Sequence, residues 1–324
     1  MPELAIADRI EVLVLVDNVT DFLSSSPAGV ESELSRFWRR GARLQAGHML
    51  CCAAHGFSCA VTAWSGKTFR TLLFDAGPDG LVLRDNVARL GFDIGSVDAV
   101  FLSHGHWDHA GGMIEALELI RAGNGGDPVA TYMHPGMYRS RAMKAPDGSM
   151  RPFENVPNPG TLEQHGARVF HSSEPQLILD DLFFVSSEIP RVTSFEVGMP
   201  GQYRRTEDGA NWEPDSLLMD ERFVAVRVKG KGTFVFTACS HAGVVNVLTH
   251  AQASVPGGLH GVIGGLHLAG STERLIPETV AAMHDFRLSV IAPAHCTGWR
   301  AVAALAAAFN EAVVPSAVGK TYHF

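Results

Sequence analysis

The chain has 324 residues, of which 46% are hydrophobic and 19% are charged, and its formal net charge is −8. This composition supplies enough apolar side chains for a packed core and argues against intrinsic disorder. The net negative charge disfavours a protein that binds nucleic acid through diffuse contacts with the phosphate backbone.

The beginning of the chain and its cysteines bear on where the protein acts. Residues 1–9 contain acidic side chains and no long apolar core, so no signal peptide is expected, and no apolar run is long enough to span a bilayer. Five cysteines are an odd number and do not form the pattern of a disulfide framework. We therefore expect a cytoplasmic protein that binds neither membranes nor nucleic acid.

The first part of the chain predicts strands and a helix around one long insertion. Residues 20–46 are polar and mixed in character, and we expect an insertion there, near the mouth of a site. Gly91 is expected to end the helix. The predicted elements are strands at residues 10–16 and 69–74, two strands within residues 49–64 that turn at Gly56, and a helix at residues 81–90.

Four potential metal ligands follow one another on a single loop. His104, His106, Asp108 and His109 lie in the stretch FLSHGHWDHAGG, directly after an apolar run at residues 97–102 that predicts a buried strand. An apolar segment that predicts a helix follows the stretch. Strand-to-helix loops are where α/β sheets usually carry their chemistry, so a chance cluster of polar residues is an unsatisfactory explanation.

The residue types and their spacing favour a pair of transition-metal ions. Imidazole nitrogen and carboxylate oxygen suit zinc, iron or manganese better than calcium or magnesium. The one-residue gap between His104 and His106 lets both rings turn toward one ion, and Asp108 and His109 are placed to reach a second. Two ions about 3.5–4 Å apart can hold a hydroxide between them together with the oxygens of a displacement reaction.

Two later segments lack regular periodicity and predict long loops. Residues 136–160 are rich in proline, glycine, arginine and methionine, and residues 198–214 are polar. Loops of this length are usually functional or mobile, so we expect both to roof the cleft as a lid or a specificity loop. The arginines Arg139, Arg141 and Arg151 are expected either to meet an anionic substrate or to be solvated surface charges.

The remaining predicted strands end at further polar side chains. A strand at residues 233–237 delivers Cys239 and His241 to a second strand-to-helix loop, and two later strands end just before His267 and His295. The other predicted strands are at residues 129–133, 168–172, 177–179, 182–186, 223–228, 262–265 and 289–292, and helices are predicted at residues 244–252, 272–286 and 299–309.

Several motifs together resemble one protein family. FLSHGHWDHAGG is similar to the signature of the metallo-β-lactamase fold superfamily of metal-dependent hydrolases. Other motifs narrow the resemblance to the subgroup named 7,8-dihydropterin-6-yl-methyl-4-(β-D-ribofuranosyl)aminobenzene 5′-phosphate synthases, from about residue 13 to the end of the chain. These motifs are LVDN (15–18), AHGFS (54–58), FDAG (74–77), EIPR (188–191), CSHAG (239–243), GGLH (264–267) and PAHCTG (293–298).

The resemblance implies an α/β protein built as an αββα sandwich, in which two mixed β-sheets are flanked by helices. A single catalytic domain would occupy residues 1–324, with loop insertions near residues 20–46, 136–160 and 198–214. The metal cleft would lie along one edge of the sandwich.

The resemblance also implies a ligand set drawn from three strand ends. Two divalent transition-metal ions are expected, zinc first, with manganese and iron as alternatives. Cys239 lies where other members carry a bridging aspartate, so we expect it to be either a metal ligand or a buried thiol. Of Cys239 and His241, His241 is favoured as the ligand. No histidine stands at the mid-chain position of simpler members, and Glu188 is a conceivable substitute. The expected ligands are His104, His106 and His241 for one ion and Asp108, His109 and His295 for the other.

Further residues receive roles from the same resemblance. Asp108 is expected to orient the attacking water or accept its proton, and His267 to protonate the leaving group. Asp75 is expected to hydrogen-bond the metal loop from behind. His55 either faces the metal cleft and the substrate or is an ordinary core histidine, and Arg191 is a conceivable clamp for an anionic group.

The function implied by the resemblance is that of a metal-dependent hydrolase. We expect it to act through a metal-bound hydroxide on a small anionic ester, lactone or phosphoester, and this expectation of the substrate rests on the arginine-bearing loops rather than on the resemblance. The alternative is a phosphoribosyl-type transferase of the methanopterin pathway, in which the metals would bind diphosphate. A third interpretation, a non-catalytic metal-binding carrier or sensor, is disfavoured by the complete ligand set. The expected partner is a small-molecule substrate, and assembly into a homo-oligomer stays open.

Overall fold

Two mixed β-sheets lie face to face, and helices cover their outer faces. The computed structural model describes residues 3–324; Met1 and Pro2, which belong to the segment expected to carry no signal peptide, lie outside the described residues. In chain order the strands are β1 (Ile6–Ala7), β2 (Arg9–Val16), β3 (Val30–Glu31), β4 (Ser58–Ser65), β5 (Thr68–Phe74), β6 (Ala99–Phe101), β7 (Val129–Met133), β8 (Arg141–Lys144), β9 (Met150–Pro152), β10 (Ala167–His171), β11 (Gln176–Ile178), β12 (Phe183–Val185), β13 (Gln202–Arg205), β14 (Trp212–Pro214), β15 (Val224–Val228), β16 (Gly232–Thr237), β17 (Leu259–Gly265), β18 (Val290–Ala294) and β19 (Thr321–His323). The helices are α1 (Glu33–Arg39), α2 (Gly80–Leu90), α3 (Trp107–Ala110), α4 (Met113–Gly123), α5 (Pro159–Gln164), α6 (Val244–Ser254), α7 (Ile276–Met283) and α8 (Trp299–Phe309).

The strand order brings several strand ends to the same edge. Within residues 3–324, one sheet has eight strands in the order β10-β7-β6-β5-β4-β2-β19-β3. The other has seven, with the path β11-β12-β15-β16-β17-β18 and β1 beside β15. The neighbours β5, β6 and β7 are parallel, as are β16, β17 and β18. Parallel neighbours end at a common edge, and the loops with the candidate ligands leave from these ends.

Three apolar clusters hold the layers together. One contains buried residues of both sheets, among them Val12 and Phe74 from the eight-stranded sheet and Phe236 and Ile263 from the seven-stranded sheet. A second lies between the eight-stranded sheet and α2 and α4, and a third lies between the seven-stranded sheet and α6, α7 and α8. The central strands thus bury one face against the opposite sheet and the other against helices. The predicted αββα sandwich is confirmed.

Local signals in the sequence set the ends of α2. The Asp79 carboxylate accepts hydrogen bonds from the backbone N–H groups of Leu81 (2.8 Å) and Val82 (3.2 Å), and so caps the first turn. Gly91 follows the last turn in the left-handed conformation, with a φ of 56°, as the sequence predicts. Among the helices of the described residues, none is both long enough and apolar enough to cross a membrane.

The prediction of two structureless loops at residues 136–160 and 198–214 is wrong, because the two segments pair with each other. They form a third sheet, which has four strands in the described part of the chain, in the order β14-β13-β8-β9. Met143 of β8 lies opposite Gln202 of β13 in an antiparallel ladder. These strands have only three or four residues each, too few for an alternating pattern to be recognised. We call them the small sheet.

Residues 49–57 differ from the prediction in a similar way, because they do not form the first of the two strands expected there. The backbone N–H groups of Cys51 and Cys52 donate to Glu33 Oε1 (2.6 Å) and Asn86 Oδ1 (2.8 Å) rather than to a neighbouring strand. Side chains thus satisfy this backbone, and only the second predicted strand forms, as β4.

Gly264, near the end of β17, is the basis of a first prediction. Its φ is +131°, and a Cβ atom there would lie 1.6 Å from the carbonyl oxygen of Thr237 on β16. A strained backbone conformation alone costs about 1–3 kcal/mol. We expect Gly264→Ala to lower the free energy of unfolding by more than this, because the two strands must also separate. Urea unfolding would measure the loss. Gly230→Ala is the control, since Gly230 also has a positive φ (+72°) but no atom within 4 Å of its Cβ position. Equal losses in the two variants would contradict the prediction.

Candidate metal centre

The loops with the candidate ligands converge at one edge of the sandwich. The loop from His104 to His109 follows β6, His241 follows β16 and His295 follows β18. The ring centroids of His104 and His241 are 4.9 Å apart, and those of His109 and His295 are 5.0 Å apart. Side chains from both large sheets and from distant parts of the chain therefore meet in one cluster.

His104, His106 and His241 form the first group of this cluster. Nε2 of His104 lies 3.0 Å from Nδ1 of His106. One ring nitrogen from each of the three residues lies within 4.8 Å of the other two. All three side chains are buried. The group predicted to hold one ion is thus brought together.

Asp108 lies at the centre of the second group. Its Oδ2 is 3.3 Å from Nε2 of His295 and 3.5 Å from Nε2 of His55, and its Oδ1 is 3.9 Å from Nε2 of His109. Nε2 of His109 is also 3.2 Å from Sγ of Cys239. The predicted residues Asp108, His109 and His295 are therefore neighbours, and His55 and Cys239 lie beside them.

Burial and neighbouring charges set the protonation of the cluster. Burial, together with the surrounding imidazoles, holds the pKa of His104 and of His241 well below the ordinary histidine value. Burial would raise the pKa of Asp108, but His109 and the hydrogen bond with His295 lower it far below the ordinary value. Burial also opposes a charge on His109, yet the carboxylates beside it raise its pKa to about 9. Metal binding would displace that proton, because imidazole binds metal ions in its neutral form.

Unpaired nitrogen atoms show that the cluster fits a metal ion. Both ring nitrogens of His241 and Nδ1 of His267 are buried and have no hydrogen-bond partner among the described residues. Buried polar atoms in folded proteins are almost always paired. Imidazoles with a carboxylate and a thiol are a donor set that suits zinc and related transition metals.

Asp75 supports the metal loop from behind. Its Oδ1 accepts a hydrogen bond from the backbone N–H of Ser103, and its Oδ2 contacts Ser103 Oγ and His109 Nδ1, each at 2.8 Å. These contacts leave Nε2 of His109 free to face the cluster. Asp75, His267 and His295 all have positive φ values, of 56°, 45° and 46°. Strained backbones of this kind are concentrated at functional sites.

Two buried carboxylates that are not among the residues predicted from the sequence hold the backbone of the ligand loops. Glu221 accepts hydrogen bonds from the backbone N–H groups of His241 (2.8 Å) and Ala242 (2.6 Å). Asp220 accepts one from the backbone N–H of Gly105 (2.8 Å). The signal that could have revealed them is a pair of adjacent acidic residues just before the apolar strand β15.

The small sheet also contacts the metal loop. Oε1 of Gln202, at the start of β13, lies 2.7 Å from Nε2 of His106. Arg141, at the start of β8, donates from Nη1 to the carbonyl oxygen of Gly105 (2.9 Å) and from Nε to Asp215 (2.9 Å). No local pattern in the sequence marks Gln202 for this role. The segments expected to roof the cleft therefore also position a candidate ligand.

Gln202 is the basis of a second prediction. We expect Gln202→Ala to weaken metal binding by about 10–100-fold, because His106 loses the partner that fixes the orientation of its ring. Titration of the metal-free protein in a metal buffer would measure the dissociation constant. Gln164→Ala changes an exposed glutamine in α5 and is the matched control, for which we expect no change. Equal affinities in the two variants would contradict a supporting role for Gln202.

A cavity of about 350 Å³ opens over the cluster. Its lining includes three large apolar side chains, those of Trp107 of α3, Phe153 beyond β9 and Met199 before β13. His55 and His267, with predicted roles toward the substrate and in proton transfer, also line the cavity. Among the described residues, no lysine or arginine lines it. The lining of the cleft therefore combines imidazoles with large apolar side chains.

Other residues with predicted roles lie outside the lining of this cleft. The guanidinium group of Arg191 donates to the carbonyl oxygens of Ile189 and Leu217. The carboxylate of Glu188 lies 3.2 Å from Nε2 of His134 and is not part of the ligand groups. The arginines expected to meet an anionic substrate are also absent from the lining: Arg139, Arg141 and Arg151.

Comparisons with known proteins identify the fold. The family model described as the metallo-beta-lactamase superfamily matches residues 69–180, which include the loop from His104 to His109. A solved structure described as Tm1679, a metal-dependent hydrolase of the beta-lactamase superfamily, is 22% identical to this chain. The match covers 96% of this chain and 98% of that chain, with a TM-score of 0.70. The chain is a metallo-β-lactamase fold protein.

Two curated proteins of Methanocaldococcus jannaschii are similar to this metallo-β-lactamase fold protein. One is named 7,8-dihydropterin-6-methyl-4-(beta-D-ribofuranosyl)-aminobenzene-5'-phosphate synthase; it is 25% identical over 272 residues, which are 83% of this chain and 90% of the relative. The other, named uncharacterized protein MJ0448, is 25% identical over 260 residues, which are 78% of this chain and 88% of the relative. The family resemblance seen in the sequence is confirmed.

Proposed function

We propose that this chain is a metal-dependent hydrolase that acts on a small anionic ester, lactone or phosphoester. The observation that carries the proposal is that one open cleft is lined both by the buried, unpaired imidazole nitrogens of His241 and His267 and by the ionised carboxylate of Asp108. The match of residues 69–180 to the metallo-beta-lactamase superfamily model, and the likeness to a solved structure described as a metal-dependent hydrolase, support the proposal at the level of reaction class.

We propose that the side chains grouped around the cleft hold two divalent ions, with zinc as the first choice. Divalent ions of this kind act as Lewis acids and lower the pKa of a coordinated water toward about 7. Cys239 and His55 are the nearest additional donors. The proposed ligands are His104, His106 and His241 for one ion and Asp108, His109 and His295 for the other.

Two residues of the cleft are proposed to handle the substrate's protons. Asp108 is the one carboxylate among the described residues that line the cleft, and it would accept a hydrogen bond from the attacking water. His267 also lines the cleft, with its ring centroid 4.3 Å from that of His241, and would donate a proton to the leaving group. His55 would contact the substrate beside Asp108.

The walls of the cleft indicate how a substrate would lie. Trp107, Phe153 and Met199 provide a surface for an apolar or ring-shaped part of the molecule. An anionic group has no lysine or arginine to pair with among the described lining residues, so it would lie against the candidate metal ligands. We propose one catalytic domain, because the candidate ligands come from both large sheets.

A substrate panel tests the proposal. The purified chain would be incubated with a phosphodiester, a lactone and a carboxylic ester, before chelation, after chelation and after zinc, manganese or iron is restored. We expect at least one substrate to be hydrolysed, with the activity lost on chelation and regained with metal. Hydrolysis that persists in the fully chelated protein would overturn the proposal.

The alternative is a transferase, and the relative named as a synthase favours it. That name describes a product in which a dihydropterin is joined through a methyl group to a ribofuranosyl aminobenzene phosphate. The aromatic side chains of Trp107 and Phe153 in the lining would suit planar rings of this kind. The test is to incubate the chain with diphosphate-bearing dihydropterin and phosphoribosyl donors and with aminobenzene acceptors. Diphosphate release that requires the acceptor would favour transfer over hydrolysis.

A further inference from the structure

Two thiols and an imidazole meet on one wall of the cleft. Cys239 follows β16, His267 follows β17 and Cys296 follows β18, and these three strands are parallel neighbours. Three consecutive strand ends of one sheet therefore deliver one potential ligand each. The two sulfur atoms and one ring nitrogen of His267 all lie within 4.8 Å of one another. We call these three residues the thiol cluster.

The local structure accommodates the thiol cluster. Sγ of Cys296 lies 3.5 Å from the carbonyl oxygen of Cys239. A Cβ atom at Gly265 would lie 2.6 Å from the same sulfur, so the glycine leaves room for the thiol. Nδ1 of His267 is buried without a hydrogen-bond partner among the described residues. A positive φ of 45° at His267 adds a strained backbone, which indicates a functional constraint.

We propose that Cys239, His267 and Cys296 bind a thiophilic divalent cation such as zinc or cadmium. Two sulfur atoms and one imidazole nitrogen are a ligand set that zinc uses in proteins, with the fourth position open to water or a substrate. Sulfur donors select softer ions than the imidazole and carboxylate donors of the two histidine groups. The two thiols lose their protons to solvent when the cation binds.

This cation is additional to the two ions of the proposed function. Cys239 belongs to the thiol cluster and also lies close to the second histidine group, because its Sγ is 3.2 Å from Nε2 of His109. His267 and Cys296 belong to neither of the histidine groups. As a ligand of this cation through one ring nitrogen, His267 would no longer serve as the proton donor proposed above, so that role belongs to the chain without this cation. The inference concerns binding alone and does not depend on whether the chain catalyses hydrolysis or transfer.

Cobalt titration tests the thiol cluster directly. The reduced, metal-free full chain would be titrated with Co²⁺ without oxygen, and thiolate-to-cobalt charge transfer would be followed in the near ultraviolet. We expect a charge-transfer band, which falls by roughly half in Cys296→Ser because one of two thiolate ligands is lost. Cys52→Ser removes an exposed thiol and is the matched control that should keep the full band. A wild-type protein without the band, or a band unchanged in Cys296→Ser, would overturn the proposal.

Asp108→Ala separates the thiol cluster from the histidine groups. If the thiol cluster binds its own cation, this variant keeps the charge-transfer band although the histidine groups are impaired. Loss of the band in this variant would show that the thiols only complete the histidine groups, and would overturn the proposal of an additional cation. Because the substrate panel measures turnover and this titration measures thiolate coordination, the two proposals can fail independently.

An experiment on the unaltered chain guards against variants that do not fold. Reduced protein would be treated with iodoacetamide with and without Cd²⁺, and labelling of each cysteine would be quantified by mass spectrometry. We expect Cd²⁺ to protect Cys296 and to leave Cys52, the exposed reference, labelled to the same extent. Equal labelling of Cys296 with and without Cd²⁺ would contradict the proposal.

Discussion

Replacing Asp108 with alanine is expected to remove about one bound metal ion per chain and to lower turnover by about 10²–10⁴-fold. Its Oδ2 is 3.3 Å from Nε2 of His295 and 3.5 Å from Nε2 of His55. The substitution removes the one carboxylate among the described residues that line the cleft, so the second group loses its carboxylate ligand. Metal content would be measured by mass spectrometry, and turnover with whichever substrate of the panel is hydrolysed.

Two further variants make this prediction specific. Asp108→Asn keeps the size of the side chain and removes its charge, so we expect it to lose metal and activity almost as fully as the alanine variant. Asp147→Ala removes an exposed carboxylate whose hydrogen bonds are to Ser149, and we expect no effect on either measurement. Unchanged metal content and turnover in Asp108→Ala would refute the ligand assignment.

The part of the site that depends on local sequence can be predicted well. The ligands from His104 to His109 lie within six residues, so their proximity follows from the chain itself. His241 and His295 each follow an apolar strand, and the ends of such strands are visible in the sequence. Whether these two histidines meet the first loop depends on how the two sheets stack. The family resemblance predicted this stacking, whereas hydrophobic periodicity alone did not.

The supporting residues could not be predicted, because their partners are far away in the chain. Gln202 contacts His106 across 96 residues, and the guanidinium of Arg141 reaches Asp215 across 74 residues. These contacts exist only because β8 and β13 pair with each other. Strands of four residues carry no reliable alternation, so neither the pairing nor the partners could be deduced from the sequence.

The case of Arg141 shows why a charge in a polar segment is hard to assign. From sequence, an arginine there is expected at the surface or against a substrate. The structure buries it, with 2% of the residue exposed, between the small sheet and the metal loop. Only the tertiary structure shows that two carboxylates, those of Asp215 and Asp220, surround the guanidinium. A buried charge with such partners makes a strong prediction about stability.

We expect Arg141→Met to lower the free energy of unfolding by about 3–5 kcal/mol. The substitution keeps an apolar stem of similar length but leaves the carboxylates of Asp215 and Asp220 buried without their cation. It also removes the hydrogen bond from Nη1 to the carbonyl oxygen of Gly105, which lies between His104 and His106. The loss would be measured by urea unfolding of the metal-free protein, so that metal binding does not mask it.

Arg139→Met is the matched control for the change at Arg141. The two arginines are two residues apart, but Arg139 pairs with Glu207, whose side chain is 90% exposed, and with Glu213, whose side chain is 37% exposed. Exposed ion pairs contribute about 0–1 kcal/mol, because water screens them and both side chains lose freedom. We therefore expect a loss several times larger at Arg141 than at Arg139. Similar losses in the two variants would mean that the buried carboxylates find other partners, and that the small sheet does not depend on Arg141 to hold the metal loop.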